Sequence, residues 1–274
     1  MPVDEHRAAN RSNWDERVAI HWQSDGYDAA GFIADPGRIS RVVQFDRRFV
    51  GDVAGKRLLH LQCHFGMDTL SWARLGADVT GVDFSEKAIA AASRLCRESG
   101  TPGRFVLAEL YDAPSRLDET FDVVYTGVGA VNWLPDIAGW ARVVAHFLAP
   151  EGIFFMRDGH PLLWCLEASG ERLELRYPYF ETDEPVSWDE DSTYLGSGTL
   201  AATRTYEWNH GVAEIHGALT AAGLRVEGLW EHRELEWQGL PQMTLHDDGR
   251  WRLPPDQADL VPLMLSLRAV KPPS

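Results

Sequence analysis

The feature that most constrains this chain is a run of short apolar segments that alternate with helical patterns between residues 56 and 158. Three of these segments, Arg57–Leu61, Phe121–Thr126 and Ile153–Arg157, are apolar over most of their length. Strands of this kind are typical of a parallel sheet that is covered on both faces, because neither face meets water. The sequence therefore predicts an α/β fold with a mostly parallel sheet and helices on both sides.

The same patterns place the other elements. Five strands are expected at Arg57–Leu61, Asp78–Val82, Arg104–Ala108, Phe121–Thr126 and Ile153–Arg157. The helices between them are expected at Met67–Leu75, Ser85–Gly100 and Asp136–Leu148. Later in the chain a helix is expected at Asn209–Ala222, followed by strands at Leu224–Trp230 and Val261–Val270. Because no long helix separates these two late strands, we expect them to pair antiparallel at the edge of the sheet.

The segments outside this region predict additions to a single domain. Helical patterns at Trp14–Trp22 and Arg38–Val50 make residues 1–55 a helical cap, and residues 56–158 form the core. Residues 159–206 interrupt the alternation of strands and helices and carry many acidic side chains, so they are expected to be an insertion. That insertion is either a lid over the site or a solvated hairpin. Residues 207–274 supply the last helix and strands, with a long loop expected over residues 240–260.

Composition limits the classes of partner. The 274-residue chain has a formal net charge of −15 and no basic stripe of the kind that binds phosphate backbones. We therefore expect a small-molecule substrate and no nucleic acid, and the oligomeric state stays open. Three cysteines and the lack of a long apolar stretch argue against a disulfide framework and a membrane span, which makes the cytoplasm the expected location. The 11 tryptophans fit either an aromatic pocket or an aromatic core.

A turn after the first strand is the strongest functional signal. Residues 58–66, LLHLQCHFG, lead from that strand into a helix, and ligands of open parallel sheets bind at such carboxyl ends. The second strand ends at Asp83, whose carboxylate can accept both hydroxyls of a ribose. The turn at Gly66 together with Asp83 is therefore compatible with NAD or with S-adenosylmethionine (SAM).

Two features favour SAM over the dinucleotide. A pyrophosphate needs the backbone to approach closely, which is why its fingerprint keeps three glycines, yet Gln62 and His64 occupy two of those places. SAM has no phosphate, so bulkier residues are tolerated at these positions. The third strand is followed by Glu109 and Leu110, where the carboxylate can accept the adenine amine and the leucine can lie beside the ring.

At this point residues 56–157 resemble the class I SAM-dependent methyltransferase superfamily. The resemblance rests on ordered motifs: LLHLQCHFG at 58–66, VTGVDFS at 79–85, FVLAEL at 105–110, FDVVYT at 121–126 and FLAPEG at 147–152. It implies a Rossmann-like sheet of seven mostly parallel strands with an antiparallel last strand. The chain departs from the family pattern at His60, Gln62, His64 and Glu109.

The motifs and the segments near them suggest the site. The expected cofactor contacts are Gln62, Cys63, His64, Gly66, Asp83, Phe84, Glu109, Leu110, Thr126, Trp133 and Tyr27. His160 after the fifth strand and His210 before the late helix are candidate general bases, because a neutral imidazole can take a proton from an acceptor. The alternatives are that His160 anchors its loop by a hydrogen bond and that Asn209, beside His210, caps the helix.

A metal is not expected at the turn. His60, Cys63 and His64 form an H-x-x-C-H cluster, but zinc takes four ligands and no second Cys/His pair at ligand spacing appears in the sequence. The predicted reaction is in-line transfer of a methyl group from SAM to an oxygen or nitrogen of a small, apolar or aromatic molecule. A SAM-binding protein that does not methylate and a nicotinamide oxidoreductase are the alternatives.

Overall fold

The computed structural model describes residues 3–167 and 172–273. Its α-helices are α1 (Val3–Gln23), α2 (Ala29–Ala34), α3 (Arg41–Val50), α4 (Met67–Arg74), α5 (Glu86–Ser99), α6 (Ile137–Phe147) and α7 (Val212–Ala221). Its strands are β1 (Arg57–Leu61), β2 (Asp78–Asp83), β3 (Arg104–Leu107), β4 (Phe121–Thr126), β5 (Leu148–Gly159), β6 (Val186–Asp189), β7 (Arg204–Glu207), β8 (Arg225–His232), β9 (Glu234–Leu235), β10 (Thr244–Leu245), β11 (Trp251–Arg252) and β12 (Met264–Val270). Within the described ranges, no helix combines the length and apolar character needed to cross a bilayer.

Seven strands form one sheet in the order β3-β2-β1-β4-β5-β12-β8. Strands β1 to β5 are parallel, and β12 runs antiparallel to both β5 and β8. The mostly parallel seven-stranded sheet with an antiparallel last strand is therefore confirmed. Leu61 at the end of β1 lies opposite Val82 of β2 and Thr126 of β4. The carboxyl ends of these strands thus share one edge, beside the point where the strand order reverses between β1 and β4.

Both faces of the sheet are buried, as the apolar strands predict. Consecutive side chains of a strand point to opposite faces. Phe154 of β5 accordingly packs in a cluster with Trp140 of α6, whereas Phe155 packs in a separate cluster with Val43 of α3 and Trp72 of α4. This two-sided burial fixes the position of the sheet. The loops that follow the carboxyl ends of its strands are then available to form a site.

The helical cap differs from its predicted bounds. The sequence predicts a helix over Trp14–Trp22, but α1 extends back to Val3. The buried positions of this added part include His6, Asn10 and Asn13, so a search for apolar periodicity does not detect it. Asn10 exchanges hydrogen bonds with the backbone of Tyr206, and Asn13 donates to the carbonyl of Ala202. The buried face of α1 is therefore polar and binds the backbone of the segment that contains β7.

Two further segments contain structure that the sequence does not predict. Helix α2 lies between α1 and α3 and is capped by Asp28, whose carboxylate accepts from the amide of Gly31. The expected loop over residues 240–260 contains β10 and β11, which form a small antiparallel sheet with β9. Their two-residue strands are too short to give a period-2 signal, which explains why the sequence suggested only a loop.

The insertion contains a hairpin, with β6 antiparallel to β7. The segment that joins these strands folds back onto the cap. Thr193 lies 2.8 Å from Nε2 of His21, and the Tyr194 hydroxyl lies 2.8 Å from that of Tyr27. The insertion therefore has a paired hairpin at its base and a tip that packs against α1.

A buried charge network ties the cap to the sheet. The Arg157 guanidinium of β5, 1% exposed, donates to Asp46 of α3 and to Glu236 at 2.5 and 2.6 Å. Asp46 also accepts from the hydroxyl of Tyr125 in β4 at 2.6 Å. Because each buried charge has an opposite partner, the network joins α3, two central strands and the segment after β9 without an unpaired ion.

We expect Asp46→Asn to lower the free energy of unfolding by about 3 kcal/mol, because it leaves the Arg157 guanidinium buried with one carboxylate fewer. Urea denaturation followed by circular dichroism measures the change. Glu227→Gln is the matched control, since Glu227 pairs with arginines at the surface and its loss is expected to cost under about 1 kcal/mol. Equal decreases in the free energy of unfolding of the two variants would show that the buried network stabilises the protein no more than the surface ion pairs do.

Candidate active site

The turn after β1 has a left-handed backbone at three positions. The φ angles of Gln62, His64 and Gly66 are 58°, 50° and 77°. A residue other than glycine costs about 1–3 kcal/mol in this conformation and is found mainly where the surrounding structure requires it. Gln62 and His64 therefore follow a backbone path that glycine normally permits. Such strain is typical of a functional turn.

Gly66 is needed for packing. A Cβ atom at this position would lie 2.6 Å from the ring of Phe105 in β3 and 3.0 Å from the Cβ of Ala92 in α5. A real Cβ atom does not approach other heavy atoms this closely. Gly66 thus allows the turn to lie directly on β3 and α5.

His64 links the turn to the cap. Its Nε2 lies 3.1 Å from Nδ1 of His21 in α1, and its ring packs edge-on against Trp14. Burial lowers the pKa of His64 to about 3, and burial together with the neighbouring His64 and Arg17 lowers that of His21 to about 2. Both imidazoles are therefore neutral, and a side chain in place of a glycine attaches α1 to the turn.

The end of β2 holds the second predicted contact. Asp83 accepts hydrogen bonds from the amides of His64 and Ser85 at 2.8 and 2.9 Å, one to each carboxylate oxygen. An ionised carboxylate has about four acceptor sites, so acceptor capacity remains for a hydroxyl donor. Burial raises the pKa of Asp83 to about 6, although hydrogen bonds from the amides of Ser85, His64 and Phe84 act in the other direction.

Glu109 follows β3 and caps a short 3₁₀ helix, Leu110–Ser115, by accepting from the amide of Tyr111. Its other carboxylate oxygen lies 3.4 Å from the guanidinium of Arg7 in α1. Further along α1, Asp15 accepts from the hydroxyl of Ser85 at 2.5 Å. Helix α1 therefore lies across the ends of β2 and β3. This role of α1 is not predicted from the sequence, since single charged residues on a helix carry no signal of their own.

Three buried polar atoms near the ends of β1 and β4 have no hydrogen-bond partner within the described part of the chain. They are Oε1 of Gln62, Oγ1 of Thr126 and Oδ1 of Asn132. The amide group of Gln62 donates to the carbonyl of Ala130 at 2.9 Å, which places this side chain against the segment after β4. Buried polar groups are normally hydrogen-bonded, so these atoms indicate capacity for a polar ligand.

The segment after β4 is held by one carboxylate. Asp158 of β5 accepts from the amides of Gly129, Ala130, Val131 and Gly159 at 2.7–2.9 Å. The 3₁₀ helix Val131–Trp133 begins where these bonds end. Asp158 thereby positions Asn132 and Trp133 beside the turn.

A cavity of about 810 Å³ adjoins this edge of the sheet. Its walls come from α1, the start of α4, the segment after β4, the tip of the insertion and the segment after β9. The aromatic lining residues are Trp14, Tyr27, Trp133, Trp164, Tyr194 and Trp237. The acidic lining residues are Asp25, Asp68, Glu190, Glu207 and Glu236. The cavity is therefore large enough for a small organic molecule and combines aromatic surface with carboxyl groups.

Two of these carboxyl groups have pKa values close to neutrality. Burial raises the pKa of Glu207 to about 7, although hydrogen bonds with Asn132 and Trp188 lower it. Burial also raises the pKa of Asp68 to about 6, with the hydrogen bond to Ser40 acting against it. Groups with such values are suited to proton transfer near pH 7. Neither carboxyl group is among the bases predicted from the sequence, which are both histidines.

The two predicted base histidines are held by other contacts. Nδ1 of His160 accepts from the amide of Leu162 at 3.0 Å, and Nε2 lies 3.0 Å from Glu231. Nε2 of His210 lies 2.7 Å from the carbonyl oxygen of Leu134, and Nδ1 faces two carboxylates. Both imidazoles are thus engaged at both nitrogens, and their role as bases stays a prediction.

Two of the predicted cofactor contacts lie at the cavity, whereas the residues of the H-x-x-C-H cluster do not share a partner. Tyr27 and Trp133 line the cavity. The H-x-x-C-H residues point to separate partners: His60 lies 2.8 Å from the hydroxyl of Thr69, whereas the thiol of Cys63 faces the carbonyl of His64.

Residues 59–154 match the family model described as "Methyltransferase domain". The ubiquinone biosynthesis O-methyltransferase of Aromatoleum aromaticum is 35% identical over 104 residues, which is 38% of this chain and 44% of that protein. The chain therefore matches less than half the length of this relative.

Two solved structures share the fold. A putative SAM-dependent methyltransferase from Listeria monocytogenes superposes with a TM-score of 0.58 at 19% identity, covering 83% of this chain and 96% of that one. The structure described as the DhpI–SAH complex has a TM-score of 0.58 at 16% identity and covers 100% of both chains. At these identities the likeness concerns the fold.

We expect Gly66→Ala to destabilise the protein by several kcal/mol, on the order of the cost of overpacking plus left-handed strain. Gly217→Ala is the control, because Gly217 is in α7 with open space around its missing Cβ. That substitution is expected to stabilise the helix by about 0.5–1 kcal/mol. Thermal and urea unfolding measure both. A well-tolerated Gly66→Ala would mean that the turn does not pack on Phe105 as described.

Proposed function

We propose that this chain is a class I SAM-dependent methyltransferase that transfers a methyl group from SAM to an oxygen or nitrogen of a small aromatic or apolar molecule. The observation that carries the proposal is the large aromatic cavity beside the cofactor turn. An oxygen acceptor is favoured, because the Aromatoleum relative is named an O-methyltransferase.

The residues at the carboxyl edge of the sheet fit SAM. The turn keeps its left-handed path, and the unpartnered atoms of Gln62, Thr126 and Asn132 offer hydrogen bonds to a polar ligand. Asp83 has acceptor sites free for ribose hydroxyls, and Glu109 with Leu110 is the proposed adenine contact. Bound SAM supplies a methyl group already activated on a sulfonium centre.

Most of the catalytic effect is then alignment. Holding two reactants at attack distance replaces a bimolecular encounter and removes several kcal/mol of the barrier. The aromatic walls Trp14, Trp133 and Trp164 present flat apolar surfaces to an acceptor. Arg17 lies over the rings of Trp14 and Trp133 and keeps them in position.

Glu207 is the proposed general base. It lines the cavity next to Asn132 and has a pKa of about 7, so its carboxylate is available at neutral pH to accept the proton that a hydroxyl acceptor loses. This assignment differs from the sequence prediction, which considered His160 and His210 for the same task.

The direct test is calorimetric titration of the purified protein with SAM, followed by assay of S-adenosylhomocysteine release across a panel of phenols, alcohols and amines. We expect heat of binding, and turnover with at least one phenolic acceptor. No heat and no thermal shift at millimolar SAM would overturn the proposal. Binding without turnover on any acceptor would instead favour a SAM-binding protein that does not methylate.

We expect SAM affinity to depend on the ionisation of Asp83. The carboxylate form accepts from the ribose, so affinity should rise with pH up to about 6 and level off above 7. Asp83→Asn should weaken binding by about tenfold or more and remove this pH dependence. Asp118→Asn, at an exposed position before β4, is the control. An unchanged pH profile in Asp83→Asn would exclude this carboxylate as the titrating group.

We expect Glu207→Gln to lower kcat on a hydroxyl acceptor by about 100-fold with little change in KM, because a general base contributes on this order. The wild-type kcat should rise with pH through about 7 as the carboxyl ionises, and the variant should lack this rise. Glu190→Gln removes another carboxyl group of the cavity and serves as the control. If the two variants lose the same activity, the effect is one of cavity charge and not of proton transfer.

A further inference from the structure

We propose that His210, Glu181 and Glu214 form a binding site for a divalent transition-metal ion, separate from the methyl-transfer cavity. One ligand atom of each residue lies within 4.8 Å of the others. His210 and Glu214 stand at the start of α7, and Glu181 comes from the insertion. The three residues therefore converge from two parts of the chain that the sequence separates by about 30 positions.

The tautomer of His210 is set by a backbone carbonyl. Its Nε2 lies 2.7 Å from the carbonyl oxygen of Leu134, and since this oxygen can only accept, Nε2 carries the hydrogen. The Nδ1 atom of the neutral ring is then an acceptor, and its lone pair faces the two carboxyl groups of the cluster. A metal-bound histidine commonly donates its second nitrogen to a backbone carbonyl in this way.

Two carboxyl groups surround Nδ1. The side chain of His210 is fully buried, and the groups that Nδ1 faces are Oε2 of Glu181 and Oε1 of Glu214. With both carboxyl groups ionised, these three atoms are all acceptors, and a cation must lie between them, either a metal ion or a proton on Nδ1. Without a metal, burial and the hydrogen bond to Glu214 raise the pKa of Glu181 to about 8, so Glu181 carries a proton that metal binding would displace.

The spacing distinguishes these two cations. A proton shared between an imidazolium and a carboxylate brings nitrogen and oxygen to about 2.7–2.9 Å. Zinc at its usual distances of about 2.0–2.1 Å to nitrogen and oxygen holds tetrahedral ligands about 3.4 Å apart. The two distances from Nδ1 are 3.4 and 3.5 Å. The geometry matches ligands around a metal better than a pair of charged hydrogen bonds.

The exposure of the cluster fits an accessible metal. Each glutamate side chain is 33% exposed, so an ion can reach the site and water can complete its coordination. Bound there, the ion would fasten the insertion to α7, since Glu181 has no other ion-pair partner among the described residues. Its expected role is to hold the insertion in place, with no part in the proposed methyl transfer.

The test uses the full chain, stripped of metal with a chelator, and Zn²⁺ as the probe. Calorimetry and elemental analysis should give one zinc per chain, and Co²⁺ in its place should give the visible absorption of a tetrahedral site. Glu181→Gln and Glu214→Gln should each weaken zinc binding by at least about tenfold. Zinc should raise the melting temperature of the wild type and much less that of the variants.

Two controls separate this site from others. Asp183→Asn removes an exposed acid of the same segment, and Glu231→Gln removes the single carboxylate beside His160; both should bind zinc like the wild type. Circular dichroism verifies that each variant is folded. Wild-type binding no tighter than that of the Glu181→Gln variant would overturn the proposal, as would zinc that stays bound after both glutamates are replaced. Either failure would leave the methyltransferase proposal unaffected, because the readout is metal and not turnover.

Discussion

The buried guanidinium of Arg157 is the interaction on which the other parts of this structure depend. It joins Asp46 of α3 to Glu236 after β9, and the latter residue is also part of the cavity wall. A buried ion pair adds little net stability over an apolar substitute, yet a broken one is costly, so such a network specifies which segments must meet. Here it brings the cap and the late small sheet to the same side of the central strands.

The turn after β1 shows how function and strain are combined. Gln62 and His64 adopt backbone angles that favour glycine, and each side chain has a task that glycine lacks. Gln62 reaches the segment after β4, and His64 holds α1. The cost in backbone strain is offset by these contacts, which hold α1 and the segment after β4 against the turn. The altered motif is therefore consistent with a cofactor site that is built from side chains as well as backbone.

The insertion connects the two proposed sites. Its tip contributes Thr193 and Tyr194 to the cavity wall, while Glu181 near its start faces His210. Within this insertion β6 pairs with β7 as a hairpin and the connecting tip packs on the cap, whereas a lid function stays a prediction. An ion at His210 would hold the start of this insertion against α7. The tip of the insertion would then keep its place in the cavity wall.

The sequence by itself determined the sheet and the edge at which its candidate site lies, because strand and helix periodicity and the motifs at Gly66, Asp83 and Glu109 are local in the chain. Only the tertiary structure decided which carboxyl groups become basic and which histidines are engaged. Glu207 owes its raised pKa to burial among distant segments, and His210 owes its tautomer to a carbonyl 76 positions away. Burial and hydrogen-bond partners of this kind depend on packing between remote residues, which no local pattern encodes.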